Sequence, residues 1–242
     1  MNKRSLISIV IPSFNEERLI KKNLIELMDF LKNKNCDWEI IVVDDGSKDK
    51  TKKIVHSLQK NEPGLRLYSN RENMGKGASV RKGVQKASGD FIFFLDADLA
   101  TPVSEIEKFI PLIRNYDIVI GNRAHKKARI SVREPLHREF MGKFFTFLSN
   151  VLLLKNIHDV TCGFKCFRRD VAKRIFKKQK INRWVFDTEI LFLAQKYRYK
   201  IKQEPVSWAH EKDSKVSLIK DTFGSFRDLL VIKFGDILGK YD

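Results

Sequence analysis

Short runs of β-branched and aromatic residues alternate with segments of helical spacing through the first half of the chain. Leu6 to Ile11, Glu39 to Val43, Leu65 to Tyr68, Phe91 to Leu95 and Ile118 to Ile120 are apolar enough to be strands covered on both faces. Between them, Glu16 to Leu31, Asp49 to Lys60, Lys76 to Ala87 and Pro102 to Arg114 carry the apolar spacing of helices with one buried stripe. Pro102 suits a first helical turn. The order βαβαβαβ predicts an α/β fold with a doubly wound, mostly parallel sheet, in which ligands bind beyond the carboxyl ends of the strands.

After Gly121 the pattern changes. A basic loop from Arg123 to Arg133 leads into a Phe-rich helix from about His137 to Leu154. Thr161 to Phe167 then reads as a strand, Phe186 to Tyr197 as a helix, Ile201 to Val206 as a strand and Leu218 to Leu238 as a last helix. No linker and no repeat period interrupts the chain, so residues 1–242 read as one domain with two halves, 1–121 and 122–242. The Phe-rich helix places Phe140, Phe144, Phe147, Leu148 and Val151 on one broad face, opposite Lys143, Thr146 and Asn150. That face reads either as core or, with Arg129, Arg133 and Arg138 just upstream, as an interfacial helix lying on anionic lipid. The last helix has a narrower stripe of Phe223, Phe226, Leu230, Phe234, Ile237 and Tyr241, suited to docking beside the first or on a second subunit of a homo-oligomer.

Charge sharpens this division. The net charge is +17, of which residues 1–120 carry +3 and residues 121–242 carry +14, so the second half is expected to meet an anion. Nucleic acid is not the expected anion, because zinc-finger spacing and RNP-like aromatic motifs are both absent. Cys36, Cys162 and Cys166 make neither a disulfide framework nor a structural zinc site, which points to a reducing, cytoplasmic compartment. The longest stretches without a charged residue, Ser5 to Asn15 and Phe144 to Leu154, are 11 residues each. A spanning helix needs about 20, and the N-terminus lacks a small-residue cleavage site, so neither a transmembrane helix nor a signal peptide is expected.

Three segments carry candidate chemistry. Val43-Asp44-Asp45-Gly46-Ser47 ends the second strand, where a carboxylate can accept hydrogen bonds from a ligand's N–H groups; the plainer reading is a turn with Ser47 capping the next helix. A phosphorylated receiver domain would need paired aspartates after the first strand, where this chain has Pro12-Ser13-Phe14-Asn15. Asp96-Ala97-Asp98 follows the most apolar strand. Two carboxylates so close raise each other's pKa unless a cation relieves them, and Mg²⁺ or Mn²⁺ held partly by diphosphate oxygens would do so; the alternative is a solvated pair beside the Pro102 helix. Asn73-Met74-Gly75-Lys76-Gly77 opens a helix and can place N–H groups and the Lys76 ammonium near phosphate, but it lacks the glycine and hydroxyl spacing of a P-loop.

In this order, Pro12-Ser13-Phe14-Asn15-Glu16, Val43 to Ser47, Asn73 to Gly77 and Asp96-Ala97-Asp98 resemble the family 2 glycosyltransferases of the GT-A fold. Gly121-Asn122-Arg123-Ala124-His125, Thr161-Cys162-Gly163-Phe164-Lys165, Arg183 to Glu189 and Glu204-Pro205-Val206-Ser207-Trp208 are similar to the dolichyl-phosphate glucosyltransferases and their prokaryotic polyprenyl-phosphate relatives. The resemblance spans roughly Ser5 to Gly235. It implies a nucleotide-sugar half followed by a basic acceptor and membrane-facing half. It also implies inverting transfer of a sugar, glucose from UDP-glucose above all, to a polyprenyl or dolichyl phosphate on the cytoplasmic face of a membrane. A GDP-mannose donor or a soluble carbohydrate acceptor remains the alternative. Pro12, Phe14, Glu16, Asp44 and Asp45 would border the nucleotide, Lys76 and Asp96 the diphosphate, and Asp96 and Asp98 the metal. Arg123, Arg133, Arg138 and Lys215 would gather phosphates, and Asp98, Arg123, Arg138 and Asp187 would be catalytic. The resemblance is weaker at Asp213-Ser214-Lys215, where Asp stands in place of the expected Gly.

Overall fold

The computed structural model describes residues 5–34, 36–211 and 218–242. Four parallel strands, β1 (Leu6–Ser13), β2 (Asp37–Asp44), β3 (Leu65–Ser69) and β4 (Phe91–Leu95), are joined by α1 (Ile20–Lys32), α2 (Thr51–Gln59) and α3 (Lys76–Lys86). They lie in the order β3-β2-β1-β4. The sheet continues through β7 (Phe164–Arg168), β5 (Ile118–Asn122) and β8 (Ile201–Pro205), seven strands in all. Strand β7 is antiparallel to both neighbours, with Cys166 facing Phe93 on one side and Val119 on the other. The sheet is thus mostly parallel, with one reversed strand from the second half set into its middle.

Successive strand residues point to opposite faces, and this sorts the apolar side chains into two cores. On β4, Phe94 joins Val10, Ile41, Phe167, Phe176 and Phe186 under α3, α6 (Arg169–Lys178) and α7 (Phe186–Lys196). Phe93 joins Ile9, Leu24, Phe109 and Phe164 under α1 and α4 (Ile106–Ile113).

Several boundaries differ from the sequence expectation for local reasons. Helix α1 starts at Ile20 because Glu16 to Leu19 form a turn, tied down where the Glu16 N–H donates to Thr51 Oγ1. Ser47 does not cap α2; its hydroxyl accepts the Asn15 N–H at 2.9 Å and so pins the loop after β1. The expected strand from Thr161 begins only at Phe164. Helix α6 was not foreseen, nor was the small second sheet of β6 (Arg129–Val132) and β9 (Ser207–Ala209), which gives structure to the basic loop.

The two late helices, α5 (Leu136–Leu152) and α8 (Leu218–Ile237), are in contact with each other. On α5, Phe140, Phe144, Phe147 and Val151 are 50–69% exposed, and Leu136 is more exposed still. Leu148, expected on that face, instead packs on the core with Phe145 and Leu152. On α8, Phe226, Phe234 and Ile237 are exposed while Leu229 and Ile232 are buried. Tyr241 leaves the expected stripe: it is buried beyond the helix end and donates to Glu189 Oε1 at 2.6 Å. The Phe223 side chain lies outside the described part. Among the described residues no helix is long and apolar enough to cross a membrane.

Candidate active site

The carboxyl ends of β4 and β5 open into a cavity of about 630 Å³. One end is polar, lined by Lys76, Asp96, Asp98, Arg123 and Asp187; the other is apolar, lined by Met141, Phe144, Phe145, Leu148, Phe226 and Leu229 from α5 and α8. Arg138, Trp184, Trp208 and His210 line the same space. Six of the expected residues therefore meet in one place, drawn from segments far apart in the chain.

The neighbouring strand ends hold the rest of the expected donor residues. Pro12 lies in the β1–β2 ladder opposite Val43, and Phe14 and Glu16 occupy the turn that follows. Asp45 is buried, and its oxygens accept Asn70 Nδ2 at 2.7 Å, the Met74 N–H at 3.0 Å and the Gly75 N–H at 2.8 Å. It thereby builds the loop ahead of α3, and Gly75, at φ +100°, supplies a turn that a side chain would strain. Asp44 differs: it is buried, and its Oδ1 has no hydrogen-bond partner among the described residues. An unsatisfied buried carboxylate oxygen is costly, and Asp44, 1% exposed, presents almost no surface of its own at the strand end.

At the cavity floor the charges alternate. Lys76 Nζ lies 2.5 Å from Asp96 Oδ1. Burial works against this ammonium, but Asp96, Asp187 and Asp98 outweigh it and hold its pKa above the usual lysine value. Asp98 is pushed up to about 6, first by burial and then by the Asp96 charge, against which the Ala100 N–H donated to its Oδ1 at 3.0 Å is a partial offset. Burial and the neighbouring Asp96 carboxylate thus both disfavour a second negative charge at Asp98. The pair fits a hard divalent ion, with two protein oxygens and room for substrate oxygens. No group of three potential metal-ligating side chains forms among the described residues, so the remaining donors would be substrate oxygens and water. Asp96 is also held in place by backbone: at Gly163 a Cβ would collide with Asp96 Oδ2.

Arg123 enters the cavity already paired. Its Nε and Nη2 donate to the two oxygens of Asp159 at 2.8 Å each, and Nη2 also reaches Thr161 Oγ1 at 2.8 Å, while the guanidinium lies over the Trp208 ring. Burial disfavours its charge, but Asp159 more than restores it and raises the pKa. Asp187 lies in the first turn of α7, and its Oδ1 accepts Lys165 Nζ at 2.6 Å. Burial raises the Asp187 pKa, partly countered by Lys165 and Lys76. Arg138 lines the cavity, and Arg133 is exposed and is not among the residues that line it. Lys215 lies outside the described residues.

Asp159, Thr161, Gly163, Lys165, Trp184 and Trp208 were given no role from sequence. Lys165 had a signal: a lone charge between Phe164, Cys166 and Phe167 is buried if that segment is a strand, and a buried charge needs partners. Thr161 stood in the Thr161 to Lys165 segment that carries the resemblance, whereas Asp159 had no signal, because its partner Arg123 lies 36 residues away.

A family model described as Glycosyl transferase family 2 matches residues 8–176. A dolichyl-phosphate beta-glucosyltransferase of Trichomonas vaginalis is 38% identical, covering 87% of this chain and 66% of its own length. The dolichyl-phosphate beta-glucosyltransferase of Saccharomyces cerevisiae is 34% identical over 97% of this chain and 76% of its own. The chain thus spans about two thirds to three quarters of the length of these relatives. Among solved structures, the glucosyl-3-phosphoglycerate synthase of Mycobacterium tuberculosis, crystallised with Mn²⁺, uridine diphosphate and glucosyl-3-phosphoglycerate, shares the fold. Its TM-score is 0.67 at 19% identity, covering 98% of this chain and 80% of that one.

Proposed function

The chain belongs to glycosyltransferase family 2, and from that premise we propose that it moves glucose from UDP-glucose to a dolichyl or other polyprenyl phosphate, with inversion at the anomeric carbon. One observation carries this reading: a single cavity joins an acidic, lysine-bearing end to an apolar trough between two helices with exposed phenylalanines, with Arg138 on its wall. A soluble sugar acceptor has no use for the apolar end, whereas a lipid phosphate needs both. The activity of the relatives supports glucose and the lipid.

In this reading residues 1–121 supply the donor side. Asp44 and Asp45 border the base from the end of β2, and Asp45 shapes the loop that brings Lys76 to the diphosphate. Asp96 and Asp98 would hold Mg²⁺ or Mn²⁺, which as a Lewis acid neutralises charge on the leaving diphosphate. Residues 122–242 supply the acceptor side. Arg138 binds the lipid phosphate, Arg123 lends positive potential from its fixed position on Asp159, and Asp187 accepts a hydroxyl of the donor sugar. The phosphate nucleophile has its second pKa near ~6 and arrives ionised, so a general base is unnecessary. The protein's contribution is to hold two anions in reacting geometry and to stabilise the one that leaves.

The exposed faces of α5 and α8 would rest peripherally on an anionic, cytoplasmic membrane surface, bringing the trough to headgroup level. The test is a transfer assay with UDP-glucose or GDP-mannose against polyprenyl phosphate, dephosphorylated polyprenol and free sugars. Transfer requiring both UDP-glucose and the lipid phosphate is expected. Efficient glucosylation of free sugars or of polyprenol overturns the acceptor assignment.

A further inference from the structure

Lys165 is wholly buried in the middle of the sheet, where an ammonium is tolerated only with all its protons placed. They are placed: Nζ donates to Val160 O at 3.0 Å, to Cys162 O at 2.6 Å and to Asp187 Oδ1 at 2.6 Å, and lies over the Phe94 ring. Two of these partners belong to the strap 159–163 that leads into β7; the third belongs to α7. The same strap touches the rest of the polar end. Asp159 and Thr161 fix Arg123, and Gly163 lies against Asp96 so closely that no side chain fits between them.

We propose that Lys165 is a positioning residue of the transferase site: it ties the Asp187 carboxylate to strap 159–163, and so sets Asp187 in register with Asp96 and Arg123 across the cavity. This inference rests on the reading of the cavity as the active site. Without the ammonium, Asp187 loses its anchor and remains a buried carboxylate beside one other cation, Lys76, which is already engaged by Asp96. A neutral aliphatic chain at 165 preserves volume but no longer specifies where that carboxylate points. Misplacement of a site group by about 1 Å costs on the order of 100-fold in rate. Nucleotide binding depends on other atoms and should survive.

The experiment compares wild type, Lys165→Met, Asp187→Asn and the double variant for kcat, Kd for UDP and melting temperature. Lys165→Met is expected to lower kcat about 100-fold with the Kd for UDP within about 3-fold of wild type. On the Asp187→Asn background, Lys165→Met should cost nothing further, because the two residues act as one unit. That comparison also stands if Lys165→Met alone fails to fold, since the double variant leaves neither charge unpaired. Near-wild-type kcat in Lys165→Met, or a double variant whose kcat falls well below that of Asp187→Asn, overturns the positioning role. Absence of transfer by the wild type would instead overturn the assignment of activity.

Discussion

In the first half of the chain a residue of apolar period lies inside the fold, whereas on α5 the same period leaves Phe140, Phe144, Phe147 and Val151 in solvent. The two regions solve different problems. Strands β1, β2 and β4 bury most of their side chains on both faces while the edge strand β3 does not, and Asp44, Asp45, Asp96 and Asp98 lie at or just beyond the carboxyl ends of β2 and β4. Helix α5 has one side on the core, through Phe145, Leu148 and Leu152, and an opposite side that no described residue covers. Exposed apolar surface of this extent marks an interaction site. An apolar period therefore reports an interface, and whether protein or lipid completes it depends on what else packs there.

The sharpest way to break the comparison is at the acidic end. Asp98→Asn should lower transfer at least ~10³-fold while the melting temperature changes little, since it removes charge from a strand-end loop and no core volume. Chelation by EDTA should do the same to wild type; transfer that ignores both would remove the metal from the scheme. Gly163→Ala should come next, at about 100-fold, because the new methyl group must displace the Asp96 carboxylate or the strap. Near-wild-type kinetics would show that this close approach is dispensable.

The two regions respond oppositely to the same change. Phe144→Glu with Phe147→Glu should release the protein from anionic liposomes by ten-fold or more, each Phe otherwise contributing ~1.5 to 3 kcal/mol, and should leave melting almost unchanged. Phe93→Glu, at a position with no exposure, should prevent folding. Liposome co-sedimentation that is indifferent to lipid charge, salt and both α5 substitutions would return that face to protein contacts. The smallest effect separates two arginines. Arg138→Ala should raise KM for the lipid phosphate about ten-fold without touching donor KM. Arg133→Ala should only weaken liposome binding, by roughly five-fold at low salt for ~1 kcal/mol. Equal effects of the two on KM would contradict the cavity boundary drawn here.

What the sequence disclosed follows the same line. The parallel core, the strand-end position of the candidate motifs and the placing of Asp96 and Asp98 in one cavity were legible, because each depends on local period or on residues within a few positions. Strand β7 was legible as a strand, but its reversed place between β4 and β5 was not, since register is set by pairing at long range. Asp45 was expected to border the nucleotide; only the folded Gly75 loop shows that its oxygens also accept the Met74 and Gly75 N–H groups. Tyr241 fits a helical stripe on paper, yet the chain turns after Ile237 and buries it against Glu189. Asp159 acts through Arg123 and Lys165 through Asp187, partners 36 and 22 residues away that no local window contains.

The late arrival of β7 also bears on how the protein is made. Strand β4, ending at Leu95, is flanked by β1 on one side, and its other edge stays bare until Phe164 to Arg168 has been synthesised. At ~5 to 20 residues per second, the ribosome leaves an all-apolar strand half-paired for several seconds. A bare strand edge is a template for wrong partners, and this one carries Phe91, Phe93 and Phe94. Ribosome stalling between residues 121 and 164 would therefore yield nascent chains prone to aggregate, and chaperone demand during translation should peak in that window and fall once β7 closes the gap.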